Sequence, residues 1–267
     1  MRNKKEDGRF PEIDVIRGIA VVSMVIYHVL FDLKMLGLLE IRIAAAPIEL
    51  LADATAATFF LLVGTSLYIS FSREKCKGRN SFDLFRKYFL RGIKLIFMGG
   101  VITGVTYLLY PEFVIVFGAL HFIGFSVVAG YILLEFARRF RRAYRLIFFG
   151  LLSVAIVGLA APVRGIKINH RFLLWLGLTE SGFQSLDYFP LVPWFGFVLG
   201  GLVLGESFYP EGERKKNLYP VRNRACEFLG RNSLIVYFLH QPLIYLAVFL
   251  YGFSAGGIDP STFGLFN

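Results

Sequence analysis

Long apolar runs alternate along this chain with short polar and basic stretches. Seven runs, at about 15–36, 48–71, 90–110, 113–136, 146–162, 190–207 and 233–251, approach the length a helix needs to cross a bilayer. In lipid the backbone polar groups of a spanning segment must be satisfied internally, so such runs are helices. The predicted fold class is all-α: a polytopic integral membrane helix bundle of about seven spans, forming a single domain over residues 1–267. The run FLLWLGL at 172–178 is too short to span. It reads as re-entrant or interfacial, an eighth segment if it re-enters. Residues 72–94 read as an amphipathic helix feeding the third span, drawn to anionic lipid by its basic residues.

The first run, RGIAVVSMVIYHVLFD, is apolar yet carries Arg17, His28 and Asp32. At 100° per residue, the step from Arg17 to His28 returns the side chain to within about 20° of its starting direction, and Asp32 follows one turn later. Three ionisable groups therefore share one stripe. Such residues are costly inside a membrane and mark functional interiors; the plain alternative is an ion pair that fixes helix packing.

Composition agrees with a membrane protein: 56% of residues are hydrophobic and only 18% charged. A net charge of +10 raises the question of nucleic acid, but the basic residues lie between the spans, where topology explains them. All but five of the 29 Lys and Arg residues fall in the alternate loops that include the N-terminal tail. The five are Lys34, Arg42, Arg164, Lys167 and Arg171. This asymmetry predicts the N-terminus inside the cell membrane. Cys76 and Cys226 then lie on the reducing side, as free thiols.

The remaining polar groups of the spans suggest chemistry. Neutral His28 accepts a proton, and a carboxylate one turn away, Asp32, orients it; that is a general-base arrangement. The basic inner mouth, with Arg17, Arg91 and Arg231, suits a phosphate-bearing molecule, because Arg binds phosphate bidentately. Asn232, beside Arg231, is a further candidate contact to that molecule, and Asn232 or Ser233 can cap the last span. His240 reads equally as a contact to that molecule and as a packing hydrogen bonder. Asp53, His121, Asp187 and Tyr188 lie toward the outer side as candidate acceptor contacts. The plain readings are an interhelical hydrogen bond for His121 and solvated helix ends for the two acids. Gly64 reads as helix packing. The arrangement describes acyl transfer across a membrane from an acyl-CoA to a hydroxyl or amine. The alternative is a proton-coupled transporter using the same His and Asp groups.

The same residues carry a family resemblance. EIDVIRGIAVVSMVIYHVLFDL, DATAATFFLLVGTSLYIS, FGALHFIGFS, DYFPLVPWFGFVLGG and GRNSLIVYFLHQPLIY, in that order, resemble blocks of the bacterial and archaeal relatives of heparan-α-glucosaminide N-acetyltransferase. The Arg17–His28 spacing also resembles a wider superfamily of membrane acyltransferases that modify bacterial surface sugars. The resemblance implies acetyl-CoA as donor and a sugar amine or hydroxyl as acceptor, with no metal. It implies His28 as the catalytic His, Arg17 as the membrane-edge Arg and Asp53 as the second-span acid. The family's Pro in the second-span motif is absent; Ala56 and Ala57 occupy that region, and the acceptor is left open. Direct transfer is the expected route, since nothing in the sequence demands an acetyl-His step. Expected partners are acyl-CoA, the glycan and membrane lipid; a homodimer is left open.

Overall fold

The computed structural model describes residues 9–35, 37–39 and 46–254. Arg2, Lys4, Lys5 and Arg42, and the tail from 255, lie outside the described residues. The helices are α1 (Pro11–Met35), α2 (Ala46–Cys76), α3 (Ser81–Leu109), α4 (Ala119–Ala137), α5 (Arg142–Gly158), α6 (Ala160–Gly165), α7 (Leu191–Phe208), α8 (Arg224–Arg231) and α9 (Ser233–Ser254). Among the described residues, seven helices are long and apolar enough to cross a membrane, as the apolar runs predict. The β structure there is one isolated bridge, Lys167 with Thr179.

Three boundaries differ from the sequence reading, each for a local reason. The expected helix at 72–94 is two pieces. Ser72 to Cys76 extend α2, Gly78 takes a left-handed φ of 75°, and Asn80 starts α3 by accepting a 2.8 Å bond from the Asp83 amide. The amphipathic stretch is thus the opening of α3 itself. At 29 residues α3 is about 43 Å long, more than the hydrocarbon layer alone requires. The fourth span starts at Ala119 rather than 113, because Pro111 opens a 3-10 turn and the chain then runs irregularly, with a bend at 116–117. That stretch is joined to 185–189 by backbone bonds from Leu186 N to Phe113 O (3.1 Å) and Phe189 N to Phe117 O (3.0 Å). FLLWLGL is a six-residue 3-10 helix, Arg171–Leu176, ended by Gly177 at φ 113°. Leu174 is its buried residue, and Phe172 is exposed.

The chain divides into two compact units. The first comprises residues up to Phe59 and from Tyr219 onward, so it draws on both ends of the described chain. Here α1 packs against α8 and α9. The short helix α8, in a stretch the apolar pattern leaves unassigned, starts at Asn223, whose side chain accepts from the Cys226 amide at 3.0 Å. It lies so close to α1 that a Cβ on Gly18 would collide with the Cys226 carbonyl, and one on Gly230 with the Asp14 carbonyl.

The second unit runs from Phe60 to Leu218. Its main helix pairs are α3 with α4 and α5 with α7. The half of α2 in this unit crosses α7 where Gly64 faces the Val198 carbonyl and Gly201 faces the Leu61 carbonyl. Thr65 Oγ1 donates across that crossing to the Gly201 carbonyl at 3.0 Å. Membrane helices lack a hydrophobic drive to associate, so close backbone approach and such hydrogen bonds hold them. One end of the unit carries ion pairs. Glu206 of α7, fully buried, receives Arg145 of α5 through Nε at 3.0 Å and through Nη2, and Arg142 donates to the Glu206 carbonyl at 2.9 Å. These two arginines read from sequence as topology signals; they also fasten α5 to α7.

Gly64→Ala should destabilise the protein, since a Cβ there meets backbone rather than a mobile side chain. Gly104→Ala in α3, where a Cβ meets nothing within 4 Å, should be neutral. Thermal unfolding of the two variants in detergent checks the contrast.

Candidate functional site

α1 presents its polar stripe to α8 near its start and to α9 further along. At the start, buried Asp14 accepts from Arg17 Nη1 at 2.9 Å and lies 3.5 Å from Arg231 Nε. Arg231 is also paired with Glu227 at 3.0 Å. Two arginines and two carboxylates thus bind α1 to α8, and an incoming phosphate would have to compete with Asp14. Asp14 was not singled out from the sequence. Its signal was its position one turn before Arg17.

Further along, His28 Nδ1 lies 2.8 Å from the Met24 carbonyl. A carbonyl only accepts, so the proton of the neutral ring is on Nδ1, and Nε2 carries the lone pair. The backbone of α1 therefore sets the tautomer. The reading in which Asp32 orients His28 is revised on this point: the fixed ring nitrogen is bonded to Met24. Asp32 is 2% exposed and accepts instead from Gln241 Nε2 of α9 at 2.8 Å. His240, the neighbour of Gln241, meets His28 edge to face with ring centroids 4.7 Å apart. Its Nδ1 donates to the Tyr237 carbonyl at 2.8 Å. The structure thus brings His28, Asp32, His240 and Gln241 together on two facing helices. Gln241, which lies within the block GRNSLIVYFLHQPLIY, was not singled out from the sequence.

The family profile described as heparan-alpha-glucosaminide N-acetyltransferase, catalytic, matches residues 9–242. The chain belongs to that family. The match runs from the start of α1 to the residue after Gln241, and so contains all four residues just described. Neither a curated protein nor a solved structure matches the chain. Family membership and the seven apolar helices make this a multi-pass membrane protein of an acetyltransferase family.

The other residues expected at the acetyltransferase site have separate surroundings. In the first unit Asp53 is exposed on α2, and Asn232 ends α8, its Nδ2 donating to the Phe228 carbonyl at 2.8 Å. In the second unit Arg91 is exposed on α3. His121, in the first turn of α4, lies against Gly99 and stacks on Phe117; its Nδ1 is closed to solvent and makes no hydrogen bond among the described residues. Asp187 accepts from the Ala119 amide at 2.9 Å, satisfying one of the open donors at the start of α4. Tyr188 donates to the Leu174 carbonyl at 2.6 Å, and burial pushes its hydroxyl up to about 12, so it remains a protonated donor at neutral pH. Both residues support the fold of 171–189 directly.

A cavity of about 170 Å³ in the second unit is lined by Tyr68, Ser72, Lys75, Arg138 and Arg145 among others. Its cations are met by acids: Lys75 and Arg138 pair with Glu135 at 2.9 and 3.2 Å, and Arg145 with Glu206. Pockets for drug-sized ligands run about 300–1,000 Å³, so this one has room for only a fragment of a coenzyme. No group of three metal-ligating side chains occurs among the described residues.

Asp187→Ala should lower stability by about 1 kcal/mol, as loss of a helix cap does. Asp14→Ala should cost more, because two guanidiniums lose a shared, buried partner. Thermal unfolding of both variants gives the order.

Proposed function

We propose that the protein is a transmembrane acetyltransferase of the cell membrane. It takes the acetyl group of acetyl-CoA from the cytoplasmic side and passes it to an amine or hydroxyl of a sugar or glycan on the other. The loop charge asymmetry supports a cytoplasmic N-terminus, and the family supports the acetyl donor and the sugar acceptor. The observation that carries the catalytic assignment is the tautomer of His28. With Nδ1–H held by Met24, the nitrogen left to act as a base is Nε2.

In the reaction, His28 Nε2 removes the proton of the acceptor as its nitrogen or oxygen attacks the thioester carbonyl. The tetrahedral intermediate collapses, the C–S bond breaks, and the CoA thiolate takes up the proton from imidazolium. His240, edge-on to His28, holds the ring in place from α9. Within the first unit, Arg17 and Arg231 are assigned to the CoA phosphates, and Asp53 to the acceptor side. Bringing two bound substrates together supplies much of the acceleration.

Radiolabelled acetyl-CoA offered to the purified full chain with a panel of amino sugars and glycans should label at least one acceptor. His28→Ala should then lower kcat by about 10²–10⁴-fold, the usual contribution of a general base, with an unchanged melting temperature. A folded His28→Ala protein that transfers at the wild-type rate overturns the assignment. Acetyl-CoA at 100 times its dissociation constant should stabilise the wild type by about 2.7 kcal/mol.

A further inference from the structure

The contact between Asp32 and Gln241 leaves more acceptors than donors. One hydrogen bond joins them, from Gln241 Nε2 to Asp32 Oδ1. Asp32 Oδ2 and Gln241 Oε1 are both closed to solvent, and neither has a hydrogen-bond partner among the described residues. Buried acceptors of this kind are normally satisfied, and each one left open is unfavourable. A pair of them on one contact, with the carboxylate 2% exposed, indicates that something else brings the donors.

We propose that the Asp32–Gln241 pair is the anchoring subsite for the acetyl acceptor. It would take a group that presents two hydrogen-bond donors together, either neighbouring sugar hydroxyls or a hydroxyl beside an amine. This rests on the acetyltransferase reading above and names the part of the acceptor that the protein recognises. The chemistry of the pair selects this ligand class. Three oxygens on two side chains are too few for a hard cation such as calcium, which takes six to eight. An anion is repelled by the carboxylate, and an apolar group would leave both acceptors unmet. A polyhydroxylated ring matches them.

Position supports the same assignment. Asp32 lies one helical turn beyond His28, about 6 Å along α1, and Gln241 adjoins His240. A sugar held at the pair therefore has its neighbouring substituents within reach of the His28 imidazole. The site also adjoins the one proline inside α9. Pro242 follows Gln241 within the helix and has no N–H for the Phe238 carbonyl. The backbone there is short of one hydrogen bond, so α9 can move to admit a ligand at lower cost than a regular helix.

The decisive variant is Asp32→Asn. Its amide can donate to Gln241 Oε1 while accepting from Gln241 Nε2, closing the pair on itself and removing the vacancy. With the best acceptor from the panel, KM for that acceptor should rise about 10- to 100-fold, the range for losing a hydrogen bond to a charged group. kcat should stay within threefold and the melting temperature should not fall. Gln241→Leu, which removes an open acceptor differently, should raise the same KM. A fall in kcat with unchanged KM in Asp32→Asn places the carboxylate in the chemistry of His28 and overturns the proposal. A lower melting temperature with unchanged KM in both variants makes the pair a structural tie and also overturns it. A wild type that labels no acceptor at all overturns the acetyltransferase reading, and this subsite with it. A working wild type whose KM is indifferent to both variants overturns the subsite alone.

Discussion

The structure of the first unit depends on matching polar groups between α1 and its neighbours. An apolar helix with Asp14, Arg17, His28 and Asp32 is expensive in lipid unless each of these meets a complement. α8 provides Arg231 to Asp14, and α9 provides His240 to His28 and Gln241 to Asp32. The backbone of α1 serves its own imidazole through Met24. The groups of α1 proposed for chemistry are therefore the same ones that fix its neighbours.

The second unit is held in a different way. Its crossings rely on small residues that let backbones touch, with hydroxyl groups donating to carbonyls across the gap. Ionic contacts cluster around Glu206 and Glu135, with a separate pair, Arg171 with Glu180, in the segment before α7. Several residues that looked chemical in the sequence serve the fold here. Asp187 secures the start of α4, and Tyr188 ties its own segment to the 3-10 helix at Arg171–Leu176. Arg145, a topology signal in the sequence, spends its charge on Glu206. A polar residue at a span end is ambiguous in sequence because capping and catalysis use the same side chains.

The spans were legible because hydrophobic length is a one-dimensional property. The non-helical stretch 114–118 was not, since an apolar run at a helix entrance looks the same whether or not it is helical. α8 escaped for the opposite reason: at eight residues it has no apolar length to detect, and its place is set by contact with α1. Periodicity placed Arg17, His28 and Asp32 on one stripe, but it said nothing of which neighbours would face them. Asp32 was therefore given to His28, its neighbour along the helix, when its partner is Gln241, 209 positions away. The family blocks, in contrast, were readable in order, and the profile match over 9–242 covers them almost to the end of the last.

The first unit is made from segments that leave the ribosome far apart in time. α1 is synthesised before residues 60–218, and α8 and α9 only after them. Until then the carboxylates of Asp14 and Asp32 have none of the companions that the finished protein gives them from α8 and α9. The helix that holds the proposed base thus waits, uncompleted, while residues 60–218 are made, and its assembly follows the synthesis of α8 and α9.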